Sequence, residues 1–314
     1  MLDSSTKPLL ARAQANLSIG AGPAADMHIG SRMEGHGPAI VLLHSSMASK
    51  SQWRSLMERM RGSHRLIAID LHGYGDSAMP TCGERFSLLD EVRLVQSKLA
   101  QLLEPRESFH LVGHSFGGGV ALRLAHADPE RVRSLSLYEP TAFHLLDRGD
   151  AALRDIEAVA DATQAAMRNG RVADATELFI DYWSGKSAYA ALPASRQALL
   201  ASLLPKVPLD FQALLNDPLR PSDYRHIAVP ACLIAGRHSP DCAHAIVSVL
   251  AAVLADRETH EVDAGHMAPL THPEVVNPII DEFIRRVDAP RKTPPIRTGL
   301  EAFALNARRR DACS

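Results

Sequence analysis

SFHLVGHSFGGGVALRL, residues 108–124, is the stretch whose reading decides the fold. Phe109 to Val112 is a short, mostly apolar run with the composition of a buried strand. Gly113-His114-Ser115-Phe116-Gly117 follows, Gly118 and Gly119 come next, and Val120 to Ala125 reads as the first turns of a helix. Strand, sharp turn and helix thus stand in direct succession, with a serine at the tip and glycine on both sides. Glycine removes side chains that would collide as the backbone reverses, and it tolerates strained dihedrals. The hydroxyl of Ser115 is then carried above the sheet edge, and the amide of Phe116 points at the same space from the helix start. A plain tight turn between strand and helix is the competing reading, and it leaves the serine without a role.

Working outward, strands and helices keep alternating. Ala39 to Leu43 (AIVLL) is a strong buried strand that runs into His44-Ser45-Ser46-Met47-Ala48. A helix with Trp53, Leu56, Met57 and Met60 on one face follows, and Arg65 to Asp70 (RLIAID) is the next strand. Ser87 and Asp90 mark a helix start, and that helix carries Val92, Val95, Leu99 and Leu102 inward until Pro105. Beyond the Ser115 unit, Val132 to Tyr138 is a strand ending at Glu139-Pro140. From Thr141 to about Arg225 only helical spacing is found, which predicts a helical insertion. Strand logic returns at Ile227 to Ala235, and a helix with Ile246, Val249, Leu250 and Val253 follows. A short strand near Thr259 to Val262 leads into Asp263-Ala264-Gly265-His266-Met267. Thr271 and Glu274 have the spacing of a capping box for a last helix, in which Pro278 predicts a kink or a delayed start. Met27 to Met33 is a short early strand.

This alternation predicts an α/β fold: a mostly parallel central sheet flanked by helices, with a helical cap insertion. The expected organisation is an arm over 1–25, a core over 26–140 and 226–288, a cap over 141–225 and a tail over 289–314. With 314 residues, 46% of them hydrophobic, the chain fits one large domain with an insertion. A net charge of −2 supplies no field to draw nucleic acid or an acidic membrane. No run reaches the roughly 18 apolar residues of a membrane span, and the N-terminal stretch lacks the apolar core of a secretory signal. The four cysteines (Cys82, Cys232, Cys242, Cys313) show no metal-like pairing, so a reducing, cytoplasmic setting is expected. Neither metal-ligand spacing nor a glycine-rich nucleotide loop is found, so no cofactor is expected. The expected partner is a small-molecule substrate.

A serine hydroxyl needs a base within hydrogen-bond reach, and the base needs an acid to fix its tautomer. His266, on the loop after the last strand, is the candidate base. Together LLHSS (42–46), DLHGYGDS (70–77), GHSFGG (113–118) and AGHMAPLTHPE (264–274) make the chain resemble an α/β-hydrolase-fold serine hydrolase with a helical cap. The resemblance spans roughly Ala39 to Val287. It implies an oxyanion hole from the amides of Phe116 and Ser46. Ser45 stands where the family usually has Gly, and its hydroxyl or that of Ser46 could add a donor.

The family usually places its acid after the penultimate strand, where this chain has Ser239. Two replacements stay open. Glu139 stands at the carboxyl end of the strand after Ser115, where some capped members carry their acid, and Asp241 lies two residues beyond Ser239. A carboxylate joined directly to an apolar strand needs a partner, which favours Glu139. A helix-start role would account for Asp241. Capped relatives that act on alkyl halides or epoxides use Asp as nucleophile, so Ser115 points to acyl transfer. His114 is expected beside the site, Phe143 and Leu146 in an acyl pocket wall, and Trp183 at the entrance. The expected function is hydrolysis of a small-to-medium apolar carboxylic ester or thioester through an acyl-enzyme. A C–C bond hydrolase of a vinylogous diketone and a non-catalytic receptor on the same fold are the alternatives.

Overall fold

The computed structural model describes residues 28–289, so the expected arm and the expected tail beyond Ala289 lie outside the described residues. Seven strands form one sheet in the order β1-β3-β2-β4-β5-β6-β7. They are β1 Ser31–Gly35, β2 Ala39–Leu43, β3 Arg65–Ile69, β4 Phe109–His114, β5 Val132–Tyr138, β6 Ala231–Gly236 and β7 Arg257–Val262. Only the β1–β3 pair is antiparallel; the others run parallel. β1 begins four residues later than its sequence suggests and reaches Gly35, because pairing with β3 defines it rather than its own weak pattern.

Both faces of the sheet are covered, which explains why AIVLL is apolar throughout. Ile40 and Leu42 join Leu56, Met57 and Met60 of helix α1 (Arg54–Met60) on one face. Val41 and Leu43 join Val92, Val95 and Leu99 of α2 (Leu88–Leu102) on the other. Ser87 and Asp90 do form a capping box at the start of α2. Helix α3 (Phe116–Ala127) follows β4 directly.

Strand order reverses between β2 and β4, so the loops leaving their carboxyl ends open side by side, with Leu43 in register with Gly113. Such switch points are where ligand crevices form in open α/β sheets. A Cβ on Gly117 would stand 2.4 Å from the carbonyl oxygens of Leu43 and His44, and one on Gly113 would stand 2.5 Å from that of Gly117. Glycine is therefore required for α3 to press this closely on the loop after β2.

Between β5 and β6 lie α4 (Ala151–Arg168), α5 (Val172–Ser184), α6 (Ala194–Leu203) and α7 (Val207–Leu215), with no strand among them. A 3-10 turn at Leu204–Lys206 joins α6 to α7. The combined stretch Ala194–Leu215 is long and apolar enough to cross a bilayer, unlike the expectation from unbroken runs, but Leu200, Leu204, Val207, Phe211 and Leu214 are buried against the protein.

After β6 comes α8 (Asp241–Val253); the short α9 (Ala268–Thr271) and α10 (Pro273–Asp288) close the described chain. β6 starts at Ala231, later than expected, directly after Pro230, which cannot donate to a ladder. α10 runs through Pro278 without a break, held by Val276, Ile280, Phe283 and Ile284 buried on the sheet. His272, not Thr271, is its N-cap; Thr271 Oγ1 instead donates to the carbonyl of Met267 at 3.1 Å.

Candidate active site

Ser115 occupies the turn between β4 and α3 with φ 53° and ψ −120°, a conformation that L side chains rarely adopt. The surroundings fix it. Its amide donates to the Tyr138 carbonyl at 3.1 Å, and its own carbonyl accepts from the amides of Gly119 and Thr141. His266 hangs from the loop after β7. Its Nε2 accepts from Ser115 Oγ at 2.9 Å, and its Nδ1–H donates to Glu139 Oε2 at 2.6 Å. Serine, imidazole and carboxylate therefore form one continuous hydrogen-bonded chain, all three buried.

Glu139 is fully buried just past the end of β5, at φ 42°. Its second oxygen accepts from the amide of Gly236 at 2.5 Å, so both oxygens of the buried carboxylate are satisfied. Asp241 does not share this role. It is the first residue of α8 and exposed, where a negative charge complements the helix dipole. Two carbonyls of the His266 loop are held as well: Tyr138 OH donates to Gly265 at 2.8 Å, and His114 Nε2–H donates to His266 at 2.8 Å. Burial, then the adjacent His266, keep His114 well below the usual histidine range, so it is a neutral strut rather than a substrate contact. Trp183 of α5 lies over the His266 ring, 4.0 Å between centroids and 28° from parallel.

Two loops flank the serine. Phe116 supplies the first amide of α3, which has no carbonyl to bond inside its own helix. On the β2 side the structure corrects the expectation for Ser45. Its amide and its hydroxyl both donate to Gln52 Oε1, at 3.1 and 3.0 Å, which takes Ser45 out of the set of free donors. His44 fastens the same loop, donating from Nδ1 to the Ser45 carbonyl at 2.8 Å and accepting the Leu71 amide at Nε2, 3.0 Å away. Burial lowers His44 to about 4, so it stays neutral in this role.

Ser46 connects to a cluster that the sequence did not announce. Its hydroxyl donates to Asp210 Oδ2 at 2.6 Å, and Tyr74 OH donates to the same oxygen at 2.5 Å. Lys206 Nζ binds Asp210 Oδ1 and reaches Glu91 Oε1 at 3.2 Å. The ammonium also lies 4.3 Å from the centre of the Phe86 ring and 4.7 Å from that of Phe116. Burial works against the charge on Lys206, but Asp210 and then Glu91 outweigh it and raise its pKa. Burial pushes the Glu91 carboxyl up to about 7 despite the pull of Lys206. The partners come from four distant segments; the only local sign is a lysine and an aspartate four residues apart on an otherwise apolar stretch.

Two chambers meet at Ser115. The outer one, about 360 Å³, is bounded by Ser45, Gln52, Leu200, His266 and Leu270. The inner one, about 20 Å³, is bounded by Thr141, Phe143, Asp210, Phe211 and Leu214. Ser46, Phe179 and Trp183 border both. Phe143 and Trp183 thus both border the inner chamber. Leu146 lines a separate hollow with Arg148 and Leu153, and His114 lines neither chamber, because its ring is spent on the His266 loop.

Away from this site, one set of side chains among the described residues has metal-ligand proximity. Ligand atoms of Cys232, Glu258 and His260 lie within 4.8 Å of one another, brought together by the pairing of β6 with β7. Glu258 already accepts from His260 at 2.8 Å and from Arg286 at 2.5 Å, so the cluster is internally neutralised.

A serine on a strained strand-to-helix turn, at the switch point of a mostly parallel sheet, defines the α/β hydrolase fold. The chain belongs to the alpha/beta hydrolase family, whose model matches residues 40–279. It is 33% identical over 118 residues to a haloalkane dehalogenase from Agrobacterium fabrum, a match covering 38% of each protein. It is 30% identical over 106 residues to a monoacylglycerol lipase from Rattus norvegicus, covering 34% of this chain and 31% of the lipase. Among solved structures, a thermophilic esterase from Thermogutta terrifontis superposes with a TM-score of 0.69 at 19% identity, over 85% of this chain and 96% of the esterase. An enol-lactonase from Burkholderia xenovorans does so with a TM-score of 0.67 at 18% identity, over 83% of this chain and 99% of its own. These structural likenesses bear on the fold alone.

Proposed function

We propose that the protein is a serine hydrolase that cleaves a small-to-medium, mainly apolar carboxylic ester or thioester through an acyl-enzyme. The observation that carries this reading is the unbroken chain Ser115 Oγ–His266–Glu139, at 2.9 and 2.6 Å. Family membership supports hydrolysis in general; the substrate and the roles of the residues are our reading.

Ser115 Oγ attacks the carbonyl carbon while its proton passes to His266 Nε2. Glu139 keeps the Nδ1–H tautomer and stabilises the imidazolium that forms. The amides of Phe116 and Ser46 receive the developing oxyanion. As the intermediate collapses, the bond to the leaving oxygen or sulfur breaks, and that atom takes the proton from Nε2. Water, deprotonated by the same imidazole, then attacks the acyl-serine, and the free acid leaves with Ser115 restored. A non-catalytic receptor had its support in Ser239 at the usual acid position. With Glu139 against His266 that argument loses its force.

The test is hydrolysis of short p-nitrophenyl esters by wild type, Ser115→Ala, Glu139→Gln and Asp241→Asn. With folding intact, Glu139→Gln should lose roughly four orders of magnitude in kcat and Ser115→Ala about six. Asp241→Asn should stay within about twofold. Wild-type rates in Glu139→Gln would overturn the assignment of the acid. Full activity in Ser115→Ala would overturn the mechanism.

A further inference from the structure

The two chambers differ in more than size. His266 borders the outer chamber and is absent from the walls of the inner one. In acyl transfer the leaving atom takes its proton from the imidazole that received it from serine, so the leaving group must lie on the imidazole side. The acyl group, still bonded to Ser115 Oγ, is left with the other side. From this we infer that the substrate carries a short acyl group, of about acetyl size, in the inner chamber, and a larger apolar leaving group in the outer one. The inference rests on the hydrolase reading above and deepens it.

The volumes set the sizes. About 20 Å³ is little more than the space one water needs, which also suits a methyl group. About 360 Å³ on the outer side, bounded by Leu199, Leu200, Leu203 and Leu270, accommodates a chain of several carbons. The inner walls have little freedom to retreat. The rings of Phe143 and Phe211 are stacked at 6.2 Å, and Phe143 is buried. Asp210 is fixed by Ser46, Tyr74 and Lys206 together. Leu214 packs against α3, where a Cβ on Gly119 would meet its Cδ2 at 2.9 Å.

Hexyl acetate and ethyl hexanoate test this directly. They are isomers of equal carbon count, with the long chain on opposite sides of the ester. Wild type should hydrolyse hexyl acetate with at least about tenfold higher kcat/KM, since each misplaced methylene in a filled pocket costs a factor of this order. Shortening the inner wall with Leu214→Ala, or with the gentler Leu214→Val, should move that ratio several-fold toward ethyl hexanoate. Filling the outer chamber with Leu203→Trp should depress hexyl acetate first. Equal or faster hydrolysis of ethyl hexanoate by wild type overturns the chamber assignment and leaves the hydrolase reading standing. Absence of turnover of both esters, with Ser115 unreactive toward a fluorophosphonate, overturns both readings.

Discussion

Ser46 is positioned by a carboxylate 164 residues away, since its hydroxyl hydrogen bonds to Asp210. In the mechanism proposed above the Ser46 amide meets the developing oxyanion and depends on the loop that carries it, so that proposal makes Asp210 a positioning residue acting through Ser46. Asp210→Asn preserves the shape but leaves one oxygen to receive donors that now share two. We expect kcat on p-nitrophenyl acetate to fall about tenfold with KM nearly unchanged. Ser46→Ala should give a similar loss, and the double variant little more, because both remove one contact. Additive losses would disconnect Asp210 from Ser46. At this scale the sequence revealed the residues whose type and place are both unusual. Ser115 sat between glycines, His266 on a late loop, and Glu139 at the end of an apolar strand. That Glu139 rather than Asp241 meets His266 was not legible, since it depends on the pairing of β5 with β6, which brings the Gly236 amide onto Glu139. Ser45 was misread because residue type says nothing of what a hydroxyl already bonds.

Helix α7 and the turn before it are fastened to the core by a buried ion cluster rather than by apolar packing alone. Lys206 and Glu91 have fully buried side chains, and Asp210 is nearly so. Removing the cation from such a cluster leaves the Asp210 carboxylate buried without its counter-ion, at a cost of about 3–5 kcal/mol. Lys206→Met should therefore lower the urea midpoint sharply. The triple variant Lys206→Met, Glu91→Gln, Asp210→Asn should recover much of that loss, since no charge is left unpaired. A triple variant no more stable than the single one would contradict this account. The helices themselves were legible from their periodicity, including α4 to α7 as a strand-free insertion. Their joints were not. Pro278 is absorbed by a helix well anchored on the sheet, and Thr271 bonds backward into the preceding turn. Contacts that decide such cases come from other elements.

For the molecule as a whole, alternation of strand and helix made a parallel sheet readable, while the antiparallel edge strand β1 depends on a pairing with β3 that no local pattern encodes. The same global burial governs the response to acid. Burial holds His44, His110 and His126 near 4, against an ordinary value of 6.5. Between those values the unfolded chain binds more protons than the folded one, so each contribution is complete above 6.5 and is lost as pH falls toward 4. Glu91 has the opposite sign. Its folded value of about 7 exceeds the ordinary 4.5, so its contribution is complete below 4.5 and is lost as pH rises through 7. Three histidines outweigh one carboxyl, and Tm should drop steadily on acidification from 6.5 to 4. Glu91→Gln should steepen that drop, because it removes the opposing group. A Tm flat across this window would argue against the buried neutral histidines.

The Trp183–His266 stack gives this protein an optical reporter of its own. The only other tryptophan, Trp53, is buried beside α1 on the opposite face of the sheet. Because Trp183 and His266 both line the outer chamber, a molecule entering it changes the surroundings of the indole, and the emission of Trp53→Phe protein reads binding there without any turnover.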